Sequence, residues 1–363
     1  MPSNLTVVPS TSSPGWASRL FGGRGVRKFL ASARTDRGPA ADRGRSNGSG
    51  AGAGDGYEGR SIQAVSRRLI ADDRYAFVLL NEAVDHIDPA DAHVAWQSLE
   101  QQMALVPGGV VPVVRADGTI EPTELAAFYL DRFAVTNKQF HRFVQAGCYD
   151  TLEIWPREIW PGLLRFTDRT GRPGPRHWEQ GKFPADRDDH PVVGICWYEA
   201  LAYSRWVGKR LITSAEWQKA AGWPEHLSGG TCTRYPWGDL FSEGRANLWA
   251  TGQGRTVSVS SFREGATLNG IYQMSGNVWE WLEDTLETIP CRPEEDFRAW
   301  KPLRRIIGGA FDTYLAGEAT NQFVTGQPEL DRRANVGFRC AVSVDRLRPL
   351  DTLNDRPTRS NGR

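Results

Sequence analysis

Residues 273–284 read QMSGNVWEWLED, a Gly-Asn turn followed at once by a glutamate held between two tryptophans. A carboxylate among large indoles is costly to bury unless something pairs with it. Glu280 is therefore either a buried acid with a dedicated partner or an accident of local sequence, and the rest of the chain decides which.

Working outward, the 363 residues include fourteen tryptophans. Tryptophan is rigid and its N–H wants an acceptor, so this composition predicts a tightly knit, loop-rich core. A length of 363 residues suits one large globular domain or two ordinary ones, and a hydrophobic content of 40% is compatible with a globular core. The formal net charge of +1 gives no global field toward nucleic acid or an anionic membrane. No apolar run approaches the ~18 residues of a membrane span, so the chain reads as soluble, with neither nucleic acid nor membrane as partner. The five cysteines (Cys148, Cys196, Cys232, Cys291 and Cys340) are scattered, odd in number and without a C-x-x-C pair. They indicate neither a disulfide framework nor a zinc knuckle.

Residues 1–56 are basic and then rich in Gly, Ser and Ala, and read as a disordered tail. The first 35 residues carry five Arg/Lys and no acid, so the cytoplasmic reading has an organellar transit segment as its alternative. Residues 57–104 read as a helical extension, with Asp88 as N-cap and Pro89 at the first position of its second helix. From residue 105 short strands, turns and a few helices follow. Thr136 and Gln139 form a T-x-x-Q capping box ahead of the stripe Phe140, Phe143 and Val144, with Gly147 placed to end the helix. Pro191–Cys196 reads as an apolar strand leading into a helix from Trp197, and Thr213 with Glu216 boxes the start of a third helix. Residues 150–190, rich in Pro, Gly, Trp and charge, form a long irregular insertion of the kind that often serves as a lid or wall. The polar tail 345–363 closes the chain.

The succession LVPGG, YLDRFAVTNKQFHRFV, HPVVGICWYEALAYSRWVGKRLITSAEW, YPWGD, RAN, GIYQMSGNVWEW, RRIIGGAF and NVGFR resembles the formylglycine-generating enzyme (sulfatase-modifying factor) family across about residues 105–344. The resemblance implies an α+β, C-type-lectin-related fold with little regular secondary structure. It also implies a structural calcium bound by the Gln273 and Glu280 side chains and the carbonyls of Gly276 and Val278, all oxygen ligands as a hard cation takes. Gln273 stands where the family usually has Asp or Asn. The alternative is that Glu280 meets an arginine such as Arg339 and no metal binds.

The chain departs from the family where the chemistry sits. Formylglycine-generating oxidases are expected to carry two copper(I)-binding cysteines after the Gly-Gly strand, and aligning on Gly308 and Gly309 places Thr313 and Glu318 there. A hydroxyl and a carboxylate do not replace a thiolate pair, so no copper is expected. The leading reading is a member that binds a small polar molecule or peptide segment in the ancestral cleft, through Asp312, Thr313, Tyr314 and Glu318, walled by Trp155, Trp160 and Trp178 of the insertion. Two alternatives remain open at this level. One is a non-haem-iron oxidoreductase of the sulfoxide-synthase branch, with iron held by His177 or His190 and Asp188, Asp189 or Glu318, a set that the spacing does not support. The other is a variable ligand-binding protein of a diversity-generating retroelement. Oligomeric state is not legible.

Overall fold

The computed structural model describes residues 54–80, 87–114, 120–222, 233–286 and 303–349. Residues 1–53 of the expected 1–56 tail, residues 350–363 of the expected 345–363 tail, and Cys232 and Cys291 lie outside the described residues, while residues 54–56 open a helix. The chain divides into two compact units. The smaller contains helices α1 (Gly54–Ala71) and α2 (Ala76–Leu79), most of α3 (Pro89–Gln102), and the segment after Asp345. Asp88 starts α3 as a capping residue should: its Oδ1 accepts from Ala90 N–H at 3.0 Å, while Oδ2 accepts from Gln63 at 2.9 Å. Leu80 bridges Leu347, which ties the segment after Asp345 to α2 of this unit. Among the described residues no helix is long and apolar enough to cross a membrane.

The larger unit, Glu100–Asp345, is built on two four-stranded sheets and a hairpin. The first sheet has the order β1 (Met103–Val106), β4 (Phe128–Asp131), β10 (Cys340–Ser343), β5 (Arg210–Leu211), all antiparallel. The hairpin pairs β2 (Gly109–Val114) with β3 (Ile120–Leu125). The second sheet has the order β8 (Val324–Pro328), β7 (Leu303–Ile307), β6 (Trp279–Leu286), β9 (Val336–Gly337), with only β6 and β9 parallel. Side chains alternate across a strand, and here both faces are covered. Trp279, Trp281 and Ile306 enter a large aromatic core, while Leu282 and Ile307 enter a second core with Trp217 and Met274. Glu280 shares the second face.

Three helices bear on these sheets, each with the cap its sequence carries. In α4 (Asn137–Gln145), Gln139 N–H donates to Thr136 Oγ1 and Thr136 N–H to Gln139 Oε1. Phe140 and Phe143 are fully buried, and Gly147 takes the left-handed conformation beyond the helix end. In α5 (Trp197–Trp206), Glu199 accepts from the Cys196 N–H at 2.8 Å. In α6 (Ser214–Gly222), Thr213 and Glu216 complete the same box.

Pro191–Cys196 is not a strand. Its backbone bonds are scattered among three partners, with Val192 N–H on Val135 O, Gly194 N–H on Arg333 O and Arg176 N–H on Gly194 O. Gly194 breaks any ladder with φ of +74°. An apolar run signals burial, and burial here is met without a neighbouring strand. The insertion is irregular as expected, a series of 3₁₀ turns such as Arg157–Arg165 joined by isolated bridges.

Candidate functional site

The turn that opens β6 delivers Glu280 to a guanidinium. Arg339 is fully buried and donates from Nε to both Glu280 oxygens at 2.8 and 2.9 Å, and from Nη2 to Oε1 at 2.7 Å. Trp217 adds its indole N–H to Oε2 at 2.9 Å. The remaining Arg339 protons go to the carbonyls of Asp131, Arg132 and Tyr272. Two of the other groups expected to hold calcium are also engaged. Gln273 Oε1 accepts from Asn277 Nδ2 at 2.7 Å, and Gly276 O accepts from Val278 N–H at 3.0 Å. In this arrangement the set does not fit a calcium ion, because its one carboxylate already faces a cation and leaves no anionic ligand for a second. The dedicated partner of Glu280 is Arg339.

The Gly308–Gly309 turn at the end of β7 leads to the cleft residues. Both glycines have positive φ, and a Cβ on Gly309 would lie 2.7 Å from that of Ala319, so the chain passes here only without side chains. The four residues expected to converge then separate. Thr313 is buried, its hydroxyl accepting from Ala310 N–H at 2.8 Å, and so turns inward and leaves the set. Asp312 is exposed, both carboxylate oxygens accepting from the single amide of Asn335 at 3.0 and 3.1 Å. Tyr314 is 74% exposed, with its ring 6.5 Å from that of Trp249, itself 57% exposed. Trp249 is tied to this segment by its N–H on Thr313 O. Glu318 lies in the 3₁₀ turn Ala316–Ala319, half-buried. Among the described residues neither Asp312 nor Glu318 has a cationic partner. The described surface thus offers two rings and two carboxylates without a cationic partner among the described residues.

Trp249 and Asn335 escaped the sequence reading. They lie more than twenty positions from Asp312 in either direction, and nothing in their local pattern marks them as neighbours of it.

The insertion tryptophans do not wall this surface. Trp155 is 2% exposed, packs on Phe143, Tyr149 and Phe166, and spends its N–H on Cys148 O. Trp178 is equally buried, donates to Asn137 Oδ1 and meets Phe140 and Phe183. Trp160 is partly exposed, but its N–H turns inward to the Leu152 and Trp155 carbonyls. The reason is hydrophobic: an irregular segment that forms no strand ladder of its own is anchored by its largest apolar groups. The histidines considered for iron are not assembled either. Among the described residues no three His, Cys, Asp or Glu are grouped to hold a metal, and His190 Nδ1 faces Thr256 Oγ1 at 3.1 Å.

Residues 90–344 match the sulfatase-modifying factor enzyme 1-like domain. The chain is 32% identical over 296 residues to the formylglycine-generating enzyme of Thermomonospora curvata, a match spanning 68% of this chain and 95% of that protein. It is 30% identical over 274 residues to the hercynine oxygenase of Mycolicibacterium smegmatis, covering 70% of this chain but only 58% of that protein's length. Among solved structures, CarF aligns over 67% of this chain and 98% of its own, with TM-score 0.46 and 23% identity. Treponema denticola variable protein 1 aligns over 66% and 94%, with TM-score 0.45 and 17% identity.

Proposed function

The chain belongs to the sulfatase-modifying factor (formylglycine-generating enzyme) family and has its α+β, C-type-lectin-related fold, and from that premise we propose that it is a binding member of the family. It holds a small polar molecule or peptide segment on the face formed by Asp312, Tyr314, Trp249 and Asn335, without copper(I) oxidation. The observation that carries this reading is the exposure of Tyr314 and Trp249 side by side, next to an aspartate that has no counter-ion among the described residues. A soluble domain has little reason to leave two large rings paired in water, and rigid aromatics are the side chains on which binding energy concentrates. Thr313 and Glu318, at the positions the family resemblance gives to thiolates, supply no soft ligand for copper(I).

The test has two arms. A panel of short peptides and polar fragments, including a sulfatase-type C-x-P-x-R peptide, is titrated while backbone NMR shifts are followed. Ligands are expected to perturb Trp249, Asp312, Tyr314 and Asn335, and Trp249→Ala to weaken them by about tenfold or more. Perturbations mapping elsewhere on the larger unit would sink the binding face. In the second arm, copper(I)-loaded protein is expected to leave the peptide cysteine unconverted, and turnover above a no-enzyme control would restore the oxidase.

A further inference from the structure

Several aromatic rings of this chain hold an arginine of the chain's own. The guanidinium of Arg304 lies 3.7 Å from the Trp197 ring centre, that of Arg74 5.1 Å from Phe77, and that of Arg157 5.9 Å from the partly exposed Trp160. The binding face differs. Tyr314 and Trp249, at 74% and 57%, are the most exposed aromatic side chains among the described residues. No cation of those residues lies over either ring.

The carboxylate beside them is in the same condition. Thr313 turns inward to the Ala310 N–H, and its two neighbours, Asp312 and Tyr314, are both exposed. Trp249 joins this segment through its N–H on Thr313 O, which sets its ring centre 6.5 Å from that of Tyr314. Asn335 gives Asp312 one neutral amide, which fixes the carboxylate without neutralising it. The arginines next to Asn335 in sequence are committed elsewhere, Arg333 to Asp331 at 3.1 Å and Arg332 to the buried Glu199 at 2.9 Å. Ring faces and a carboxylate are all negative where they meet water, so the face attracts positive charge and repels anions. A cation seated between ring centres 6.5 Å apart lies within the ~6 Å reach of both. Its N–H groups then have the remaining lone pairs of Asp312 to donate to.

Resting on the binding face described above, we propose that its occupant is an organic cation, an ammonium or guanidinium group held by Trp249, Tyr314 and Asp312. The charge of the ligand, and not its polarity alone, selects it. A neutral molecule of the same shape gains only the contact with the rings, and an anion meets the unpaired carboxylate. The cation comes either on a free small molecule or on a lysine or arginine side chain of a peptide segment, and the same three residues receive it in both cases.

The test uses three probes of one length, n-butylammonium, n-butanol and butyrate, titrated into the full chain at fixed ionic strength while aromatic and indole N–H NMR signals are followed. Butylammonium is expected to shift the Trp249 and Tyr314 signals saturably, butanol to shift them more weakly and butyrate not at all. Asp312→Asn should weaken butylammonium about threefold to fivefold and bring it level with butanol, and Asp312→Glu should restore part of the preference. Asp312 is exposed, so both variants are expected to fold. A blocked Gly-Lys-Gly peptide that binds tighter than butylammonium assigns the cation to a peptide, and equal affinity assigns it to a small molecule. Butanol or butyrate moving the same signals as strongly as butylammonium, or a preference unchanged in Asp312→Asn, would overturn the cation while leaving the binding face standing. Shifts from every probe that fall away from Trp249 and Tyr314 would overturn the face and the cation together.

Discussion

Glu280 and Asp312 are both carboxylates that follow a glycine turn and neighbour aromatic residues, yet they live in opposite conditions. Glu280 is 1% exposed and meets a guanidinium and an indole N–H. Asp312 is exposed and meets one neutral amide. A buried charge must be paired for the fold to exist, while a surface charge can stay unpaired at little cost. The first arrangement is architecture, joining β6 to the segment that enters β10. The second leaves a charge free for something outside the chain. Composition is similar at the two places, and burial separates them.

The sharpest way to break this comparison is to remove one charge from each. Glu280→Gln leaves Arg339 buried without its counter-ion and is expected to cost about 3–5 kcal/mol in urea unfolding. Asp312→Ala is expected to stay within about 0.5 kcal/mol. Combining Glu280→Gln with Arg339→Met should cost less than the sum of the two, because the orphaned charge is gone. Equal effects at Glu280 and Asp312 would erase the distinction.

The tryptophans offer the same contrast with a hydrophobic readout. Trp178→Ala opens a cavity in the aromatic core and is expected to cost about 3–5 kcal/mol. Trp249→Ala should change stability by about 0.5 kcal/mol or less while weakening ligand. If Trp178→Ala were tolerated and altered binding, the insertion would be the wall that its composition suggested.

A third carboxylate lies between the extremes. Glu283 is half-buried; its backbone bonds Ile212 O and Arg304, but its carboxylate has no hydrogen bond or ion pair among the described residues. Burial, reinforced by Asp284 and Glu216 and opposed by Arg210 and Arg304, raises its pKa above the ordinary glutamate value. The folded state then holds this proton more tightly than the unfolded chain. Its contribution to stability is fully present below the unfolded value of about 4.3 and is lost as pH rises through the folded one. The stability of Glu283→Gln relative to the parent should therefore increase across that window. Unfolding free energies at several pH values check this, and a difference that stays flat would show that Glu283 is better solvated than its surroundings indicate.

The smallest expected effect is none. With Glu280 held by Arg339, the melting temperature should be the same in chelator and in millimolar calcium. A rise with calcium would mean that Arg339 yields the carboxylate to a cation, by the ordinary linkage of a ligand that binds only the folded state.

The helix starts were legible because a cap is local: Thr136 with Gln139 and Thr213 with Glu216 need only three residues of spacing, and each forms the bonds its pattern predicts. The family was legible because its motifs keep their order along the chain. The site was less so. Asp312, Tyr314 and Glu318 could be picked out as polar groups in a glycine-led turn, but the inward rotation of Thr313 depends on the backbone of Ala310.

The sequence by itself determined the capped helix starts, the family and the absence of a cysteine pair at the expected positions, since these depend on residue identity and short-range spacing. Only the tertiary structure decided that Arg339 is a partner of Glu280, that Trp155 and Trp178 are core and Trp249 surface, and that Pro191–Cys196 has no strand beside it. Those outcomes rest on contacts between residues far apart in the chain. There, geometric reach and desolvation select one partner among several that are chemically equivalent on paper.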